Sequence, residues 1–285
     1  MVREFKRRIG DHVPILVAGV PYSPQALTGQ LLQWVVRTGT RQMGEAPSRI
    51  VLTFPANWGP YKRELLAQVV ELADVGEVVT VSEPEAAAVQ YASKSRVSST
   101  ARIAMYDLGG GTFDTCVLQK RPDGFDLLGE AVGIEHLGGI DFDDAVFQHV
   151  LSALGEGVND LDPADPEVES GLARLRRDCV EAKEALSTDV QAIIPVGLPG
   201  WNRSIRLTRS ELEELIRPPL EGTVAAVDRA IRSAGLNATD LDAIVLVGGG
   251  SRIPLVRELL QDASRYPLRS TPTPSTTSPS ARCRS

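Results

Sequence analysis

Cysteine is scarce: three occur in 285 residues, at positions 116, 179 and 283. An odd count without close spacing gives neither a disulfide framework nor a zinc site, and a reducing, cytoplasmic setting is expected. Aromatic residues make up 5% of the chain, and there are three histidines. His12, His136 and His149 show no ligand spacing, and Trp34, Trp58 and Trp201 read as packing residues rather than a base-stacking platform. Basic residues are outnumbered, 30 against 37 acidic, for a formal charge of −7. That balance argues against nucleic acid as the main partner, because such binding rests on phosphate neutralisation. No apolar run approaches the ~18–20 residues of a membrane span. The basic start (Arg3, Lys6, Arg7, Arg8) leads into Asp11, His12 and a short apolar stretch, so neither a membrane segment nor a signal peptide is expected. No solenoid period is found.

What is present is an ordinary globular composition, 42% hydrophobic and 24% charged. The length suits one large or two ordinary domains at ~100–200 residues each. Ser23-Pro24 opens a helix over about 24–37, with Leu27, Leu31, Leu32, Val35 and Val36 at helical spacing. The runs 50–54 and 78–81 read as strands, each followed by helical periodicity, around 65–72 and 85–91, which argues an α/β layer architecture. Two apolar runs, 103–106 and 113–118, flank three glycines as strand, tight turn, strand. Helices are expected over about 143–154 and along the stripe Leu172, Leu175, Cys179, Ala182 and Leu186, and a hairpin over 190–207. Thr208 or Ser210 caps a helix through Ile216, Pro218 opens another to about Ala234, and 244–247 is a buried strand before Gly248, Gly249, Gly250 and a last helix. Beyond Asp262 the chain has four arginines and no acid, and 270–280 is all Ser, Thr and Pro, so 264–285 is expected to be disordered.

The sharpest chemical feature is DLGGGTFD at 107–114. Three glycines between strands let backbone amides converge on an anion, and Thr112 adds a hydroxyl. Asp107 and Asp114 flank the turn, where carboxylates suit a hydrated Mg²⁺, which keeps most of its waters. The octapeptide reads equally as a glycine hairpin with turn-stabilising aspartates. The second glycine cluster, Gly248 to Gly250, matches neither the dinucleotide fingerprint nor the P-loop pattern. Lys183 and Ser187 share one helix face and could bond a ribose or a base, or simply be solvated. Glu83 could project from a sheet edge into a ligand crevice, or cap a helix. Lys6, beside Arg7 and Arg8, reads by itself as a solvated surface cluster.

In order along the chain, FKRRIGD (5–11), TFPANW and KRELL (53–66), SEPEAAAVQYA (82–92), DLGGGTFD (107–114), HLGGIDFD (136–143), EAKEALS (181–187) and VGGGSRIP (247–254) resemble the nucleotide-binding domain of the Hsp70 (DnaK-type) chaperones. The resemblance covers about residues 3–263. It implies an actin/hexokinase/Hsp70-like ATPase fold, two lobes around a nucleotide cleft, binding ATP or ADP with Mg²⁺, with J-domain co-chaperones and nucleotide exchange factors as partners. Position by position, it implies that Lys6 is the catalytic lysine near the γ-phosphate and that Glu83, Asp107 and Asp114 surround Mg²⁺ and the attacking water. Thr112 falls at the γ-phosphate. Gly109, Gly110 and Gly111 match the second phosphate loop, and Gly138 and Gly139 a glycine pair near the nucleotide. Lys183, Ser187, Gly248, Gly249 and Arg252 match the adenosine pocket, and Pro55 and Arg63 a relay toward the substrate domain.

The departures are specific. The family's first phosphate loop stands sixty to seventy residues before the catalytic lysine, whereas here Met1 is five residues before Lys6. Val180 replaces an adenosine-contacting glutamate, Glu184 a frequent basic residue, and Ile140 the glutamate common after the glycine pair. The last helix of lobe I, the interdomain linker and the client-binding domain have no counterpart. The expected organisation is therefore a lobe I remnant (1–96), an intact lobe II (97–263) and a tail (264–285). The expected function is that of an ATP-binding, Hsp70-like nucleotide-binding domain with impaired hydrolysis. The alternative is a non-catalytic nucleotide-binding or regulatory fragment, or a gene remnant.

Overall fold

The computed structural model describes residues 5–94, 97–262 and 268–270. The chain enters through overlapping turns, with Arg8, Ile9 and Asp11 amides donating to the carbonyls of Phe5, Lys6 and Arg8. A small hairpin follows, β1 (Ile15–Val17) and β2 (Val20–Tyr22), within the apolar stretch that suggested no element from sequence. Its two-residue turn, Ala18-Gly19, has φ of 50° and 82°, the doubly positive geometry that matches strand twist. Helix α1 (Pro24–Met43) runs past its expected end near residue 37 and closes on left-handed Gly44; Ser23 caps it by accepting from the Ala26 amide.

Strand β3 (Ile50–Phe54), helix α2 (Pro60–Ala73) and strand β4 (Val78–Ser82) form one parallel crossover unit with Ile50 opposite Val78. Gly29 lets α1 lie close on α2, since a Cβ there would come within 3.1 Å of the Leu72 Cβ. Leu52 and Phe54 turn inward onto Ile9, Trp58, Leu65, Leu66 and Val69. The other face of this pair is open: Val51 and Val79 are exposed, and among the described residues twelve of the fifteen exposed large apolar side chains lie within 5–94. Parallel strands are normally covered on both faces, so this part of the molecule is held less firmly than the rest. Helix α3 (Glu83–Lys94) starts directly from β4.

The central sheet is built from β5 (Arg102–Leu108), β6 (Phe113–Arg121) and β7 (Gly124–Ile134), antiparallel in sequence. Strand β7 was not expected: its glycines and acids hide the alternation, although Pro122-Asp123-Gly124 is plain turn chemistry. Then come α4 (Gly139–Leu154), α5 (Pro166–Ala185), and the hairpin β8 (Gln191–Leu198) and β9 (Trp201–Thr208). One helix, α6 (Arg209–Ser233), replaces the two expected there. Pro218 and Pro219 are exposed, while Leu212, Ile216, Leu220, Thr223, Val227 and Ile231 keep one buried stripe through the joint. Strand β10 (Ala243–Val247) and helix α7 (Pro254–Asp262) complete the body, and β11 (Leu268–Ser270) lies parallel to β10.

Of the tail expected over 264–285, residues 268–270 are described, and they form this strand. Backbone pairing to β10 needs no apolar side chain, so composition alone hides it; the remainder of the expected tail lies outside the described residues. The sheet order is β11-β10-β5-β6-β7, with β10 parallel to β5. Both faces are covered. Ala104, Tyr106 and Leu108 of β5 join the large core with α4, α5 and α6, while Ile103 and Met105 pack toward Ala88 and Tyr91 of α3.

Candidate functional site

Strands β5 and β10 run parallel, and each ends in a glycine turn, Gly109 to Gly111 and Gly248 to Gly250, at the carboxyl edge where open α/β sheets take ligands. The second turn packs on the end of β5, just before the first turn. Gly248 has a φ of 84°, and a Cβ there would meet the Leu108 carbonyl and come 2.8 Å from Asp107 Oδ1. The first turn is closed by the Gly109 amide on the Thr112 carbonyl, 3.0 Å. It is also fastened to α4: the Gly139 amide donates to Gly109 O (3.0 Å) and the Ile140 amide to Gly110 O (2.8 Å). Gly138 is pressed so tightly on the turn that a Cβ would sit 2.5 Å from the Gly111 nitrogen. Lys183, at the end of α5, ion-pairs with Asp143 (2.6 Å) and donates to Gly139 O (3.1 Å), which seats its ammonium beside the same turn.

Asp107 and Asp114 are register partners across β5 and β6, so the hairpin itself brings the two carboxylates together. Burial, reinforced by Glu83, pushes Asp107 up to about 6, with Lys6 opposing. Burial, Glu83 and Asp107 push Asp114 up to about 6, against a hydrogen bond from Thr112 and the charge of Lys6. Glu83, the first residue of α3, faces Lys6 across 2.7 Å. Three carboxylates thus crowd one region with a single half-exposed lysine against them. This donor set suits a hydrated divalent cation, which needs only one or two protein oxygens because it keeps several waters; among the described residues no group of three acidic, His or Cys side chains is placed to hold an ion. Asp107 and Asp114 would hold its water shell, and the ion would neutralise phosphate charge.

An open cleft lies at this edge, lined by Lys6, Arg7, Pro55, Lys62, Thr112 and Asp114 among others. Of the residues singled out from sequence, Lys6, Glu83, Asp107, Thr112, Asp114, Gly109 to Gly111, Gly138, Gly139, Lys183, Gly248 and Gly249 come to one edge of the fold. Ser187 lies half-buried in the turn after α5, and Arg252 is exposed at the end of the 250–252 turn. Pro55 is buried at the cleft, whereas Arg63 is exposed on α2 and does not line it.

Sequence reasoning passed over Arg7, Asp141 and Asp143. Arg7 looked like one member of a solvated basic trio, yet its side chain is 9% exposed and its Nη2 donates to Asp141 Oδ2 at 2.8 Å. The one local signal was Asp141, three residues after Gly138, the spacing of an acid that caps the start of α4. Cys116, behind Asp114, is pushed up to about 12 by burial and by Asp114 and Asp107, so it offers no nucleophile. Comparison with protein-family models gives a match to the family described as Hsp70 protein over residues 6–274.

Proposed function

This chain belongs to the Hsp70 family, and from that premise we propose that the cleft binds an adenine nucleotide with Mg²⁺ and that the 285-residue chain hydrolyses it slowly. The family implies an actin/hexokinase-like ATPase fold, use of ATP and ADP with Mg²⁺, and work with J-domain proteins and nucleotide exchange factors. No helix among the described residues is long and apolar enough to cross a membrane. The observation that carries the reading is the packing of Gly248 and Gly250 on the end of β5, which brings two glycine turns to one sheet edge beside a charge-crowded carboxylate pair.

In this reading the 109–111 turn receives the diphosphate, with the Thr112 hydroxyl and the Lys183 ammonium beside it. Gly248, Gly249, Ser187 and Arg252 receive the adenosine side. Asp107 and Asp114 keep the water shell of Mg²⁺ oriented, and Glu83 orders the attacking water while Lys6 faces the γ-phosphate. Such a site works by positioning and charge neutralisation, with little covalent chemistry of its own. Slow turnover is supported by where Lys6 and Glu83 stand. Lys6 is 49% exposed and spends its charge on Glu83, and both belong to the part of the chain whose two-stranded sheet is open. A displacement of ~1 Å can cost ~10²-fold in rate.

Calorimetry with ADP, ATP and GTP, with and without Mg²⁺, tests the binding, and phosphate release from wild type and Lys6→Ala tests the chemistry. The expected outcome is adenine-selective, Mg²⁺-assisted ADP binding, little extra affinity for ATP, and turnover near background. Absence of adenine selectivity would overturn the site; brisk lysine-dependent hydrolysis would overturn the slow-turnover reading.

A further inference from the structure

We infer that Arg7 is a phosphate-binding residue of this cleft, with Asp141 as its resting partner that yields when an anion enters. The inference deepens the nucleotide reading above and rests on it. The three consecutive basic residues part in three directions. Lys6 reaches Glu83; Arg8 bonds Asp11 Oδ2 (3.1 Å) and the Val13 carbonyl (2.8 Å) on the surface. Arg7 alone points inward. A guanidinium at that depth is costly unless a carboxylate answers it, and Asp141 does so at 2.8 Å.

The place it reaches gives it a function. Arg7 lies flat against the phosphate-loop candidate: a Cβ on Gly111 would come 2.8 Å from its Nε and 3.4 Å from its Cζ and Nη2. Arg7 also lines the cleft together with Thr112 and Asp114. An anion lodged on the 109–111 turn is therefore met by a planar fork suited to paired phosphate oxygens. Asp141 is 36% exposed, and the oxygen that takes Arg7 also accepts the Gly138 amide at 2.7 Å, closing the start of α4. If the guanidinium turns to a phosphate, Asp141 keeps that capping bond and water. Phosphate then takes the place of the Asp141 carboxylate, which stays solvated.

Asp141 is thus a competitor as well as a holder, which fixes the sign of two substitutions. Titrate wild type, Arg7→Gln, Arg7→Lys and Asp141→Asn with Mg²⁺-ADP, pyrophosphate and adenosine, checking each fold by its thermal melt. Arg7→Gln should weaken ADP and pyrophosphate about tenfold and leave adenosine unchanged, as loss of one charge-assisted contact predicts. Arg7→Lys should fall between. Asp141→Asn, which keeps an oxygen for the Gly138 amide but removes the competing charge, should tighten both anions severalfold. A purely structural ion pair would instead weaken every ligand in both variants. If Arg7→Gln does not fold, the opposite displacements of Arg7→Lys and Asp141→Asn decide the matter. Unchanged anion affinity in the Arg7 variants, or weakened affinity in Asp141→Asn, would overturn the inference. Arginine-dependent pyrophosphate binding without ADP or adenosine binding would keep the anion site and overturn the nucleotide reading. Binding of none of the three by wild type would overturn both.

Discussion

Replacing Asp107 by Asn should make the protein more stable at neutral pH while damaging its use of Mg²⁺. The Asp107 carboxyl stands at about 6 against an ordinary 3.8, chiefly because burial penalises its charge, with Glu83 adding repulsion. A folded-state value raised above the unfolded one means that the native protein holds more protons than the unfolded chain between pH 4 and 6. Stability therefore falls as pH rises through that window, and the full penalty is present above it. At ~1.4 kcal/mol per pH unit, the displacement is worth roughly 3 kcal/mol. Asp114 shares the same field, so ~2 kcal/mol is the figure to expect from one neutralisation. For a body of this size that is a rise in Tm of about 4–8 °C at pH 7.5. Thermal melts of wild type and Asp107→Asn from pH 4 to 8, without nucleotide or metal, give the test. The gap should be widest above pH 6.5 and close toward pH 4, where both proteins carry a neutral side chain. A variant less stable than wild type at pH 7.5, or a gap independent of pH, would refute the reasoning. The same variant should lose most of the Mg²⁺-dependent part of its ADP affinity, measured by calorimetry with the metal present and chelated.

Three further outcomes follow from particular contacts. Tyr106→Phe removes the buried hydroxyl that meets Thr223 Oγ1 at 2.7 Å, but Thr223 still donates to the Leu220 carbonyl, so the cost should be ~1 kcal/mol by urea denaturation. Gly138→Ala drives a methyl into the backbone at Gly110 and Gly111; it should lower Mg²⁺-ADP affinity at least tenfold in calorimetry and leave adenosine affinity within twofold. Ending the chain after Asp262 removes β11 and uncovers the edge of β10, so it should lower Tm by several degrees in a calorimetric scan.

Legibility in the sequence followed how local each decision was. The 107–114 hairpin was readable because its glycines, its flanking alternation and its acids lie within eight residues, and the fold adds only the register that sets Asp107 opposite Asp114. Strand β7 was not, since Gly129 and Gly133 answer to distant packing: a Cβ on Gly129 would strike the Ser233 and Ala234 region of α6, and one on Gly133 the Asn57 side chain. The unity of α6 was hidden because Pro218-Pro219 is a strong local stop that the buried stripe across it overrides. Arg7 was hidden for a related reason. Its partner is 134 residues away, and nothing in a run of three basic residues tells which one the fold will swallow. At the site, the residue types were visible locally, while the pairings that set their charge states arise only in three dimensions.

The fastening of the 109–111 turn to α4 makes the turn one end of a rod. Two amide bonds and the close seat of Gly138 leave no slack between them, so a displacement of the turn is a displacement of the helix. The far end of that rod, sixteen residues on, is gripped in its turn: the Trp201 indole donates to the Leu154 carbonyl and Arg203 to the Ala153 carbonyl, both from β9. A load set down on the turn would therefore bear on the β8–β9 hairpin at the opposite end of α4, and in a protein whose Trp34 and Trp58 are replaced, a fluorescence change from Trp201 would read it from the remote end of the lever.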